Sequence, residues 1–163
     1  MGAVGLSEPT LLTASHLVDG FNCGVASLDD WLRRRAMQNQ LSGASRTYVV
    51  SDGQKVAGYY CLSSGALALN DAPGAIRRNM PDPVPLAIMG RLAVDTAWQG
   101  RGLGVALLQD AVLRTIQAGG ILGIRGLLVH AISEVAKAFY EHHGFIASST
   151  QPMTLILSLK ERG

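Results

Sequence analysis

Residues 86–118 pass from strand to helix through a turn that carries almost no side chains. "LAIMGRLAVD" reads as a long strand, with Gly90 a bulge or kink within it. "VALLQDAVLRTIQA" reads as an amphipathic helix ending near Ala118. Between them stands "WQGRGLG", with glycine at 100, 102 and 104. The first N–H groups of a helix lack internal partners, and the helix dipole makes that end positive. Bulky side chains on the approach would hold an anion away, so three glycines there fit a phosphate site. A Walker loop requires Gly-Lys-Ser/Thr where this chain has Gly-Val-Ala, and a dinucleotide fingerprint requires G-x-G-x-x-G rather than G-x-G-x-G. A tight strand-to-helix turn is the other reading of the same glycines.

The remaining pattern builds an α+β (mixed α/β) domain around this passage. A first strand is expected at 11–16. "SLDDWLRRRAMQNQLSG" reads as one helix, capped by Ser27 with Asp30 in a capping-box position. Its buried stripe is Leu28, Trp31, Leu32 and Ala36, and Gly43 suits its end. "RTYVVS" and "KVAGYYCLSSGALAL" pair through a turn at Asp52-Gly53. Prolines at 73, 81, 83 and 85 make 70–85 a loop. "GLLVHA" is a strand, "SEVAKAFYEHH" a helix capped by Ser133 and stopped by Gly144, and "TLILSLK" the last strand. Antiparallel strands followed by a β–α–β–α–β run imply one twisted sheet covered by helices, in a single domain over 1–163.

Charge is distributed unevenly. The chain is +2 overall, yet residues 31–101 hold nine basic and four acidic side chains, and eleven of the fourteen basic residues are arginine. Arginine offers a planar fork of donors suited to phosphate; a solvated surface is the plainer reading. No apolar run approaches a membrane span, and "MGAVGLSEPT" has no basic or apolar leader pattern, so no membrane and a cytoplasmic setting are expected. Cys23 and Cys61 make no metal spacing, and no metal is expected.

Gln99-x-x-Gly102-x-Gly104, following "RLAVD", resembles the acetyl-CoA signature of the GNAT superfamily of N-acetyltransferases, Q/R-x-x-G-x-G/A. "AKAFYEHHGF" is similar to its second signature, a helix bearing "FY" and ending in "GF". The resemblance spans about Leu11 to Leu159. It implies a GNAT fold: a central, twisted, mostly antiparallel sheet with a V-shaped splay between the strand ending at Val94 and "GLLVHA". It implies acetyl-CoA as acetyl donor. The pantetheine arm would lie along the backbone of Leu92, Ala93 and Val94. The pyrophosphate would sit on the amides of Gly100, Arg101, Gly102, Leu103, Gly104 and Val105, flanked by Gln99 and Arg101.

Acetyl transfer needs a neutral amine, a stabilised oxyanion and a proton for the departing thiolate. An N–H near Leu92 or Ala93 can serve the oxyanion. Tyr140 is the expected proton donor, since a phenol near pKa ~10 is protonated at neutral pH; the superfamily often places a Tyr there. Core packing is the other reading of Phe139-Tyr140. No base announces itself: His130, Glu134 and Glu141 lie near the expected V, and a lone His there is more often structural. An α-amine near pKa ~8 is partly neutral without one, whereas a lysine near ~10.4 is not. Neither cysteine lies on the segments lining the V, so direct attack is expected.

"FNCGVASLDDWLRRRAMQNQLSGASRTYVV", "GRLAVDTAWQGRGLGVALLQDAVLR" and "QPMTLILSL" resemble the GNAT toxins of bacterial toxin–antitoxin modules, the TacT and AtaT type. That resemblance implies acetylation of the α-amine of aminoacyl-tRNA, blockade of translation, a homodimer, and neutralisation by a ribbon–helix–helix antitoxin. Arg33, Arg34, Arg46, Arg77, Arg78 and Arg91 are the expected tRNA contacts. Arg33, Arg34 and Arg35 at helical steps fan around ~200° and cannot share one face. Val129-His130-Ala131-Ile132 stands where the group often has "VDAK"-like residues, which leaves the preferred tRNA open. The alternative is an ordinary GNAT enzyme acting on a small amine or a protein N-terminus; a third reading is a CoA-binding module without turnover.

Overall fold

The computed structural model describes residues 5–159. Among them the chain forms seven strands in one mostly antiparallel sheet, order β1-β2-β3-β4-β5-β7-β6, with five α-helices. In chain order these are β1 (Thr10–Leu11), α1 (Ala26–Arg34), α2 (Ala36–Ser42), β2 (Arg46–Asp52), β3 (Lys55–Leu67), α3 (Gly74–Arg77), β4 (Val84–Val94), α4 (Leu103–Gly119), β5 (Gly126–His130), α5 (Glu134–His142), β6 (Ile146–Ala147) and β7 (Thr154–Ser158). The chain divides into two compact units, residues 1–63 with 90–111, and 64–89 with 112–163.

In the first unit β2 and β3 form a hairpin closed by Asp52↔Lys55, with a register shift at Val50/Ser51. The turn residues are therefore Gly53-Gln54, one step later than Asp52-Gly53, and Gly53 takes the left-handed φ of 61° that the tight turn requires. The first strand is shorter than 11–16, pairing only Thr10 and Leu11 with β2. The core joins Leu12, Phe21, Leu28, Leu32, Ala36, Val49, Val56, Tyr59 and Ala93. Tyr59 is its centre: Phe21 meets it edge-on at 5.5 Å, Trp31 stacks on it at 6.0 Å, and its hydroxyl donates to the Leu28 carbonyl at 2.7 Å. Gly58 leaves room for α4, since a Cβ there would lie 2.9 Å from Leu107 Cδ1.

The expected helix over 27–43 is two helices. Arg35 ends α1 and begins α2 with φ −119°, far from the helical value, while its ψ of −30° stays in the helical range. The N-cap is Val25 rather than Ser27, and no side chain caps it. Asp30 instead pairs with Arg33 at 3.1 Å, while buried Asp29 accepts from the Cys23 amide at 2.9 Å. Gly43 closes α2 in the left-handed conformation, as expected.

In the second unit β4 pairs with β5 in parallel from Ala87↔Leu127 to Met89↔Val129. β5 pairs antiparallel with β7 from Gly126↔Ser158 to His130↔Thr154. The segment expected as a loop at 70–85 contains α3, whose Ile76 is buried with Ala72, Val84, Leu86, Leu128 and Ile156. Prolines flank α3 without interrupting it. The short strand β6, paired with β7, is too brief to leave a periodic signal in the sequence. Ser133 caps α5 by accepting from the Ala136 amide at 3.1 Å, and Gly144 follows it at φ 95°.

Candidate active site

The first unit assembles the glycine turn from several fixed points. Asp95 follows β4 and caps a 3₁₀ turn at Thr96–Trp98, accepting from Ala97 N at 2.9 Å and Asn22 N at 3.0 Å. Gln99 then donates from Nε2 to the carbonyls of Val94 (2.8 Å) and Cys23 (2.9 Å), tying the turn to the end of β4 and to the segment before α1. Sequence reasoning placed Gln99 beside the pyrophosphate; the structure gives its amide nitrogen this anchoring task.

Gly100 and Gly102 follow with φ of 77° and 83°, where L side chains are strained. Space is not their reason, because an added Cβ would meet nothing within 4 Å at either. Buried Leu103 plants the first turn of α4 in the core. Hydrogen bonding along the helix starts with Ala106 N to Gly102 O. The amides of Leu103, Gly104 and Val105 therefore have no carbonyl four residues back within the helix, which is the donor set an anion would use. Gly104 has an ordinary φ and a Cβ there would sit in relaxed contact, 3.9 Å from Val94 Cγ2. Nothing in the fold demands glycine at 104. Arg101 is exposed and lies over the Trp98 ring at 4.9 Å, a guanidinium beside the cradle. On β4, Ala93 is buried, while Leu92 and Val94 are half-buried.

Tyr140 belongs to the second unit. It is buried against Phe139 and Phe145, with ring centroids 5.4 Å away in both cases. Burial pushes its phenol up to about 12, so it holds its proton throughout the neutral range. His130 is exposed, with Nδ1 3.0 Å from Thr154 Oγ1. Glu134 is in the first turn of α5, where it complements the helix dipole.

Both thiols are pushed up, Cys23 to about 11, in each case chiefly by burial. Neither is a thiolate at neutral pH, which fits direct attack rather than an acetylated cysteine.

The arginines differ in what they touch. Arg33 donates to Phe21 O at 2.8 Å and to Asp30, Arg46 to Gln40 O at 2.9 Å, and Arg77 to Ala72 O at 2.9 Å. These three are bound into the fold. All three are nevertheless exposed, as are Arg34 and Arg78. Arg91 lies over Trp31 at 4.5 Å, a stack that no sequence pattern announced.

Residues 43–147 match the acetyltransferase (GNAT) domain family. The chain belongs to the GNAT family and is an N-acetyltransferase. It is 48% identical over 157 residues to a tRNA-acetylating toxin of Mycobacterium tuberculosis (strain ATCC 25618 / H37Rv), covering 96% of this chain and 95% of that one. It superposes with a TM-score of 0.89 on AtaT complexed with acetyl-methionyl-tRNAfMet, at 27% identity and 96% coverage of each chain. It also superposes, with a TM-score of 0.80, on a tyrosine-to-phenylalanine AtaT bound to the C-terminus of the antitoxin AtaR and acetyl-CoA. Identity there is 28%, with 96% of this chain and 94% of the other covered.

Proposed function

We propose that this protein acetylates the α-amine of aminoacyl-tRNA with acetyl-CoA, blocks translation by doing so, and is neutralised by a small ribbon–helix–helix antitoxin. The 48% identity to a tRNA-acetylating toxin along nearly the whole of both chains carries this reading. The AtaT complexes with acetylated tRNA, antitoxin and acetyl-CoA support it. A homodimer, a single domain over 1–163 and a cytoplasmic setting complete the proposal.

In this mechanism the diphosphate of acetyl-CoA lies on the amides from Gly100 to Val105, with Arg101 alongside. The pantetheine arm runs along the backbone of Leu92, Ala93 and Val94. Gly104 fits this role because the ligand, and not the fold, explains its missing side chain. The α-amine attacks the thioester carbon as the free base. A backbone N–H near Leu92 or Ala93 holds the oxyanion. The C–N bond forms, the C–S bond breaks, and Tyr140 donates its phenolic hydrogen to the departing sulfur. The ammonium proton of the new amide restores the phenol. Because the phenol is less acidic than a thiol, Tyr140 works as a hydrogen-bond donor that transfers its proton only as the sulfur gains charge.

Labelled acetyl-CoA incubated with charged and with deacylated tRNA tests the reading. Label is expected only with charged tRNA, and it should leave the RNA when mild alkali cleaves the aminoacyl ester. Label confined to small amines or protein N-termini would select an ordinary acetyltransferase instead.

A further inference from the structure

Arg34 ends α1 and Arg35 stands at its junction with α2. On one continuous helix Arg34 and Arg35 would point about 100° apart. At the break, both line a shallow cleft of about 280 Å³ with Ser27, Asp30, Trp31 and Arg91. Three arginines therefore line one space that admits a phosphodiester together with bridging water. The carboxylate in the lining, Asp30, is already paired with Arg33.

Arg91 is the most firmly placed of the three. It lies on the Trp31 ring, which is stacked on buried Tyr59 with an interplanar angle of 11°. Tyr59 is in turn fixed by its hydrogen bond to Leu28 O. Arg91 thus lines the cleft from a seat on a ring that is itself packed on the core, so less rotamer freedom remains to be lost on binding. Arg33, Arg46 and Arg77 instead direct donors at main-chain carbonyls of their own fold.

We propose that Arg34, Arg35 and Arg91, with Trp31 as the platform for Arg91, clamp phosphodiesters at the single-stranded 3′ end of the tRNA acceptor. This rests on the aminoacyl-tRNA reading above. Acidic residues of a peptide would answer the same charges. Position favours the nucleic acid: Arg91 immediately precedes Leu92 on β4, the strand assigned to the acetyl donor. The reacting amine and the last phosphodiesters belong to the same few nucleotides, so a clamp beside that strand holds the end that must enter. The clamp reads backbone and not base, which suits a device for engaging any acceptor end while leaving the choice of amino acid elsewhere.

Three variants test it: Arg34→Gln combined with Arg35→Gln, Arg91→Gln, and Arg91→Lys. Acetylation of charged tRNA is compared with acetylation of a 3′-aminoacyl-adenosine that carries no phosphodiester, and binding of deacylated tRNA is measured separately. Melting curves and acetyl-CoA titration check that each variant is folded. For the two glutamine variants, kcat/KM on charged tRNA should fall at least tenfold relative to that on the adenosine acceptor. The fall should come through KM, and the slope of log KM against log salt should drop by roughly 0.7 for each phosphate that is no longer neutralised. Arg91→Lys should be intermediate, since it keeps charge and loses the planar stack. Equal losses on both acceptors, or unaltered KM and salt slope on tRNA, would overturn the clamp. Unaltered tRNA kinetics with weakened binding of an antitoxin C-terminal peptide would assign the cleft to the antitoxin. If the wild type acetylates neither acceptor, the functional reading fails by itself. Deacylated-tRNA binding then decides the clamp: loss in the variants upholds it, and no binding by the wild type overturns it.

Discussion

In the proposed mechanism Tyr140 bears the heaviest chemical demand of any single side chain. Its hydroxyl is one atom in a buried aromatic cluster, so Tyr140→Phe removes the proton and leaves the ring packing against Phe139 and Phe145 in place. Turnover should fall roughly 10²–10⁴-fold, with acetyl-CoA affinity and melting temperature nearly unchanged; loss below threefold would remove the phenol from the mechanism. The pH profile follows from the same burial. Because the phenol is pushed up to about 12, the rate should rise as the substrate α-amine deprotonates near ~8 and then stay level to about pH 10. Stability has the opposite dependence. An unfolded tyrosine ionises near ~10, so the folded state holds this proton longer. The stabilisation is complete below pH ~10 and disappears as pH rises through about 12. Denaturant titration at pH 8, 10 and 11 should show it, and Tyr140→Phe should lose less across that range. The helical placement of Tyr140 was legible because "FY" and "GF" frame it, and its burial was one of two readings; the partner Phe145 lies beyond the helix end.

At the scale of elements, the opening of α4 separates glycines the backbone needs from one it does not. Gly102→Ala places a side chain at φ 83° and should destabilise the protein by about 1–2 kcal/mol even with no ligand present. Gly104→Ala meets no strain and no clash, and alanine is favoured in a helix by about 1 kcal/mol. That variant should melt at an equal or higher temperature while binding acetyl-CoA at least tenfold more weakly. Calorimetry of the two variants, each with and without acetyl-CoA, separates these effects; full affinity in Gly104→Ala would dissociate the cradle from the diphosphate. The order strand, glycine turn, helix was legible, because its periodicities are local, but the 3₁₀ turn at Thr96–Trp98 and the start of α4 at Leu103 rather than Val105 were not. The α1/α2 break was not, for "RRRAM" contains neither glycine nor proline. Its causes lie in the tertiary fold: Leu32 and Ala36 are both buried, and Gln40 reaches from α2 to Leu12 O at 3.2 Å while accepting from Thr47 N at 3.0 Å. Packing against β2 sets the direction of α2, and no helical pattern records it.

At the scale of the molecule, the question is whether two compact units amount to two folding units. β3, β4 and α4 each begin in one and end in the other. Melting either unit alone would cut two strands and a helix in mid-run, leaving main-chain donors and acceptors of the ladder without partners. That cost argues for one cooperative transition, with calorimetric and van't Hoff enthalpies equal. Acetyl-CoA sharpens the test, since its proposed phosphate cradle lies entirely within the first unit. At about a hundredfold excess over Kd it should stabilise by roughly 2.7 kcal/mol. For a chain of this length that moves the midpoint by about 5–10 °C. If folding is cooperative, tryptophan fluorescence must report the same shift as hydrogen exchange in β5 and β7. Trp31 and Trp98 are both in the first unit, whereas β5 and β7 are in the second. A ligand that raised the fluorescence midpoint and left exchange in β5 and β7 unprotected would show that the units unfold separately, and the single-domain proposal would have to be given up.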